Sequence, residues 1–137
     1  MKVFTKGSDY AVRILVFLAE NARSGLIPSS VVAKETGIPI AFLRRIYSQL
    51  IKGGFLVASE GSQGGAKLAR DPTSINTLEI IELIQGPIEL SECVYKDQPC
   101  PNRDGCGIRR RILRIERAIT DAFQAITIQS LIDDKYF

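Results

Sequence analysis

This sequence has no histidine, only three cysteines and no apolar run long enough to cross a bilayer. The first absence removes the side chain most often used as a general base, and no nucleophile elbow or phosphate-binding glycine fingerprint takes its place. An enzyme of the commoner hydrolase or dinucleotide-dependent classes is therefore not expected. A membrane-spanning helix needs ~18 or more apolar residues, and residues 1–22 lack the charged, apolar and small-residue regions of a secretory leader. A cytoplasmic protein is expected. Three thiols cannot all pair within one chain, and Cys93, Cys100 and Cys106 fall within fourteen positions, unlike the scattered structural thiols of a reducing compartment. Metal ligation is the leading reading of that group.

What is present suits a folded domain. With 45% apolar and 24% charged side chains the chain is not disordered, and its 137 residues allow one core with an appended element but not two full domains. A net charge of +3 does not mark a nucleic-acid binder, so the placement of the 18 basic residues matters more than their sum.

Ala11, Ile14, Leu15 and Leu18 recur at helical spacing between Tyr10 and Glu20, with Asp9 placed just ahead of them as a candidate cap. Ser29 or Ser30 can start a short second helix that Gly37 ends, and Pro39 suits the start of a third. The third, over residues 40–52, carries two stripes. Leu43, Ile46, Tyr47 and Leu50 share one face, while Ala41, Arg44, Arg45, Ser48 and Lys52 share the other. Two short strands follow, 55–59 and 66–69, joined by a glycine-rich loop. Helix, short helix, turn, helix and hairpin predict a winged helix-turn-helix.

A further helix is predicted over 77–85, stopped by Gly86 and Pro87, and then a polar segment with Pro99, Pro101 and Gly105 holds the cysteines on a loop. From Ile108 the residues Ile112, Ile115, Ile119, Ala122 and Ile126 continue a heptad seam, which predicts one long helix packed against its copy in a homodimer. The fold expected is mainly α with a small β-hairpin wing: a winged helix-turn-helix DNA-binding domain over 1–87, a cysteine loop over 88–107, and a dimerisation helix and tail over 108–137.

Two groups carry chemistry. Arg44 and Arg45 can each present a guanidinium fork to guanine or to a phosphate, whereas Lys52 offers a point charge suited to phosphate; sequence does not assign the two arginines individually. The cysteines are separated by six and then five residues, without the close pairs usual in structural zinc sites. Such gaps suit a loop wrapped around an iron-sulfur cluster, with zinc or another single metal and uncommitted thiols as the alternatives. Arg103, Arg109, Arg110, Arg111, Arg114 and Arg117 crowd the last cysteine, where they either favour thiolate or are solvated.

These residues together resemble the Rrf2 family of winged-helix iron-sulfur transcription regulators. The likeness lies in Phe4-Thr5-Lys6-Gly7-Ser8-Asp9-Tyr10-Ala11-Val12-Arg13, in Gly37-Ile38, in Phe42-Leu43, in Gly64-Gly65, and in a cysteine loop followed by a long helix. It implies a dimer on double-stranded, palindromic DNA, with the third helix in the major groove, the wing in the minor groove, and a cluster whose state alters DNA affinity. It adds Thr5, Lys6 and Phe42 to the expected DNA contacts. Glu60 stands where related wings begin with arginine, so Lys67 or Arg70 is expected to supply the positive charge there. With no histidine ligand available, Asp9 matches the aspartate that completes the cluster from the partner subunit in the NsrR-type branch, which implies [4Fe-4S] rather than [2Fe-2S] and a repressor that senses nitric oxide, redox state or iron supply. The alternative from another class is a metal-stabilised protein-interaction module without specific DNA binding.

Overall fold

Thr5 opens the first helix, because its Oγ1 accepts a hydrogen bond from the Ser8 N–H at 3.3 Å and so satisfies one of the donors that a helix start leaves unpaired. This helix, α1, spans Lys6–Glu20 and buries Ala11, Ile14, Leu15 and Leu18 as their spacing predicts. The computed structural model, which describes residues 2–91, 100–101 and 105–134, therefore corrects one expectation. Asp9 lies inside α1 and does not cap it.

Helix α2 spans Ser29–Thr36 and α3 spans Ile40–Lys52, with Pro28 and Pro39 at their cap positions. Ser29 is thus the first helical residue of α2 and its side chain makes no cap hydrogen bond. Gly37 (φ 73) ends α2 in the left-handed conformation that a side chain disfavours. Val32, Ile38, Leu43, Ile46 and Leu50 close over the buried stripe of α1.

The wing is an antiparallel hairpin of β1 (Leu56–Ser59) and β2 (Gly65–Leu68), paired Leu56 to Leu68 and Ser59 to Gly65. Its docking explains a glycine. Ala66 and Ile27 exchange backbone hydrogen bonds of 2.9 and 3.0 Å, and a Cβ on Gly65 would collide with the Ile27 backbone. Helix α4 (Thr77–Gln85) begins in a capping box between Asn76 and Glu79.

The C-terminal region departs from the single helix that the seam predicts. Helix α5 (Gly107–Gln124) stops before Ile126, and α6 (Ile128–Asp134) returns to pack on α1 and on the turn at residues 72–74, with Ile128 fully buried. The break is pinned from outside, since Thr77 N–H donates to Ile126 O at 2.8 Å, Ile128 N–H to Ile75 O at 2.9 Å, and Thr77 Oγ1 to Phe123 O at 2.6 Å. Thr127 and Ser130 then cap the new helix reciprocally, each side chain accepting from the other's backbone N–H at 3.0 Å. A heptad count cannot register such long-range bonds.

Candidate nucleic-acid interface and cysteine segment

Packing separates the two stripes of α3. Leu43, Ile46, Tyr47 and Leu50 are buried, and Ala41, Arg44, Arg45, Ser48 and Lys52 are exposed. The structure also divides the two arginines. Arg44 lines a groove of about 370 Å³ between α3 and the wing, shared with Ser29, Tyr47, Glu60 and Gly64. Arg45, one residue on and so about 100° round the helix, has its guanidinium 5.5 Å from the centre of the Phe42 ring instead. Phe42 meets Tyr10 of α1 edge-on at 5.1 Å, and the Lys6 ammonium lies 5.5 Å over the Tyr10 ring. Lys6, Phe42 and Arg45, scattered in sequence, thus gather at the α1–α3 junction. Thr5 stands beside them with its hydroxyl committed to the helix cap.

On the wing, Lys67 is exposed and pairs in register with exposed Val57, and Glu60 is exposed in the loop. Arg70 does not compensate Glu60. Its guanidinium bonds Glu79 at 3.3 Å and the Ser74 carbonyl, and it lies 5.2 Å over the Phe55 ring. Of the two candidates, only Lys67 is left to offer charge on the wing. Tyr47 carries a buried hydroxyl with no hydrogen-bond partner among the described residues, and burial pushes its pKa up from 10 to about 12.

Cys93 lies outside the described residues. Cys100 and Cys106 are free and half-buried. Cys106 occupies the cap position of α5 but makes no side-chain cap bond, so its thiol is not spent on the helix. It borders a hollow of about 270 Å³ with Glu89, Ser91, Ile108, Ile112 and Glu116. Asp9 is not in this group: its carboxylate bonds Arg13, one turn on along α1, at 2.8 Å. Among the described residues no three cysteine or carboxylate side chains come together as metal ligands.

Helix α5 buries none of its residues fully. Ile112, Ile119 and Phe123 are half-buried, the last stacked on Phe4 at 6.1 Å, while Ile108 and Ile115 on the outer side of the seam stay 67% and 55% exposed. Gln85 carries no local sequence signal. Its side-chain amide bonds Val3, Thr5 and Ser8, which lie 77 to 82 residues away, so no local pattern could have pointed to it.

The family model described as Rrf2, iron-dependent transcriptional regulator, matches residues 4–134. Among curated relatives the chain is 26% identical to the HTH-type transcriptional regulator IscR of Klebsiella pneumoniae, over 98% of this chain and 82% of that one. Among solved structures it resembles CymR, the global cysteine regulator of B. subtilis, with a TM-score of 0.82 and 22% identity over 98% of this chain and 99% of the other. It also resembles IscR of T. potens, with a TM-score of 0.75 and 22% identity over 98% and 88%. These two likenesses bear on the fold, which is the winged helix with the appended α5. No helix of the described residues is long and apolar enough to cross a membrane. By the family match over nearly its whole length, the chain belongs to the Rrf2 family of transcriptional regulators, not to a family of enzymes.

Proposed function

We propose that the chain acts in the cytoplasm as a homodimeric repressor that binds a palindromic operator and responds through an iron-sulfur cluster to nitric oxide, redox state or iron supply. The observation that carries the DNA contact is the solvent face of α3, where Ala41, Arg44, Arg45, Ser48 and Lys52 lie together opposite a fully packed stripe. A helix so mounted enters the major groove, and twofold symmetry sets two such helices on two half-sites. Phe42 holds Arg45, and Lys6, Thr5 and Lys67 meet the flanking backbone.

The cysteines fit the cofactor. Cys100 and Cys106 are unpaired, half-buried soft donors outside regular helix, and with Cys93 they would hold three irons of a [4Fe-4S] cluster. The fourth position falls to Asp9 of the partner subunit. That assignment is cheap for this residue, because its partly exposed pair with Arg13 is of a kind worth ~0.3–0.5 kcal/mol. The family's description as iron-dependent supports iron over zinc. When bound, the cluster supplies a reactive iron centre; the chain's own residues hold it and face DNA.

Anaerobic reconstitution tests the assignment. Wild-type protein should show visible absorption with matching iron and sulfide, Cys93→Ser, Cys100→Ser and Cys106→Ser should each lose it, and Asp9→Ala should alter the spectrum and speed cluster loss. A colourless protein containing zinc, or a full cluster in a serine variant, would remove the cluster or that ligand from the account.

A further inference from the structure

Gln85 is the last residue of α4, and its one amide group makes three hydrogen bonds to the start of the chain. Its Oε1 accepts from the Thr5 N–H at 3.1 Å and from the buried Ser8 hydroxyl at 2.6 Å, and its Nε2 donates to the Val3 carbonyl at 3.1 Å. No cap or turn of α4 requires this. Directly after Gln85 the chain turns at Gly86 (φ 86), anchors Ile88 in the protein interior, and offers the Leu90 N–H to Glu116 of α5 at 3.3 Å. These residues are the root of the cysteine segment.

On the other side of the amide lies the DNA-facing junction. Thr5 and Ser8 form the first turn of α1, which also carries Lys6; Lys6 lies over Tyr10, Tyr10 meets Phe42, and Phe42 supports Arg45 of α3. Side-chain contacts, joined by the backbone of residues 85–90 and of the first turn of α1, therefore run from the root of the cysteine segment to the cations at the α1–α3 junction. Chains of packed side chains and hydrogen bonds can carry coupling between sites, although only a measured non-additivity demonstrates it.

We infer that Gln85 is a positioning residue that ties the root of the cysteine segment to the DNA-contacting start of α1, so that a displacement of residues 86–90 changes operator affinity. The inference rests on the DNA-binding reading above. It does not require the cluster, because the coupling lies in the chain's own contacts.

A double-mutant cycle on the full-length protein tests it, with operator affinity measured at fixed salt. Glu116→Ala releases the Leu90 anchor, and Gln85→Leu removes all three amide bonds at similar volume. Glu116→Ala should shift operator affinity about fivefold or more in the wild-type background, the low end of ordinary coupling, and leave it nearly unchanged in the Gln85→Leu background. Gln85→Glu keeps the acceptor for Thr5 and Ser8 and should restore most of the response; it also serves if the leucine variant folds poorly. A purely structural Gln85 would lower the melting temperature yet leave the Glu116→Ala effect the same in both backgrounds. That additivity, or no effect of Glu116→Ala in the wild type, overturns the inference while specific DNA binding stands. Loss of sequence preference already in the wild type would instead overturn the DNA-binding reading and the inference with it.

Discussion

Truncating Ile115 to alanine tests what covers the outer face of α5. Ile115 is 55% exposed in one chain although it belongs to an unbroken apolar seam with Ile108, Ile112 and Ile119. Full burial of an isoleucine contributes ~1.5–3 kcal/mol, so covering the open part of Ile115 contributes about 0.8–1.7 kcal/mol per protomer and twice that in a twofold dimer. Ile115→Ala removes most of that gain. At ~1.4 kcal/mol per decade the dimer dissociation constant should rise about 10- to 200-fold. Sedimentation velocity across a dilution series reads the change, and thermal unfolding checks that the winged domain is intact. Leu113 is the control: it lies roughly 160° round the helix from Ile115 at 3.6 residues per turn, so Leu113→Ala should weaken the dimer far less. Equal effects of the two variants, or an unchanged dissociation constant for Ile115→Ala, would refute dimerisation through this seam.

The different neighbours of the two arginines separate their roles. Arg45→Ala should lower affinity for specific and scrambled duplexes alike and reduce the salt slope by about one, as loss of a phosphate contact does, whereas Arg44→Ala should cost ~1–3 kcal/mol of discrimination; competition binding at several salt concentrations distinguishes them, and the reverse pattern would exchange the assignments. Tyr47→Phe should be neutral or stabilising near neutral pH in urea unfolding, because it removes a buried hydroxyl that lacks a partner. In the wild type the folded pKa of about 12 exceeds the ordinary value of 10, so this residue's contribution is full below pH 10 and falls by ~1.4 kcal/mol per pH unit up to about 12; Tyr47→Phe should lose that part of the alkaline decline.

The winged domain was legible in sequence because its signals are local. Periodicity found the core faces of α1 and α3, glycine marked the end of α2, and strand propensity with a glycine loop placed the wing. The departures arise where groups outside the apolar pattern decide. Asp9 looked like a cap because the apolar stripe begins after it, but the Thr5 hydroxyl extends α1 by a turn. The seam ran on to Ile126, but bonds from residues 75–77 break the helix and send α6 back to the core. Arg70 looked available to the wing until Glu79 and Phe55 claimed it. Arg44 and Arg45 were alike in sequence and differ only in their neighbours. The part of the site that depends on Cys93 lies outside the described residues, so there the structure adds only the free thiols of Cys100 and Cys106.

Whether the cysteine segment regulates DNA binding is decided by operator affinity with and without the cluster. A duplex selected from random sequence by the protein itself would be titrated anaerobically at one salt concentration, first with intact cluster and then after its removal from the same preparation. The two dissociation constants should differ by about 5- to 150-fold, with scrambled DNA bound equally weakly by both forms. Superimposable titrations on the selected duplex would contradict this and leave a DNA-binding protein whose cysteines do not regulate.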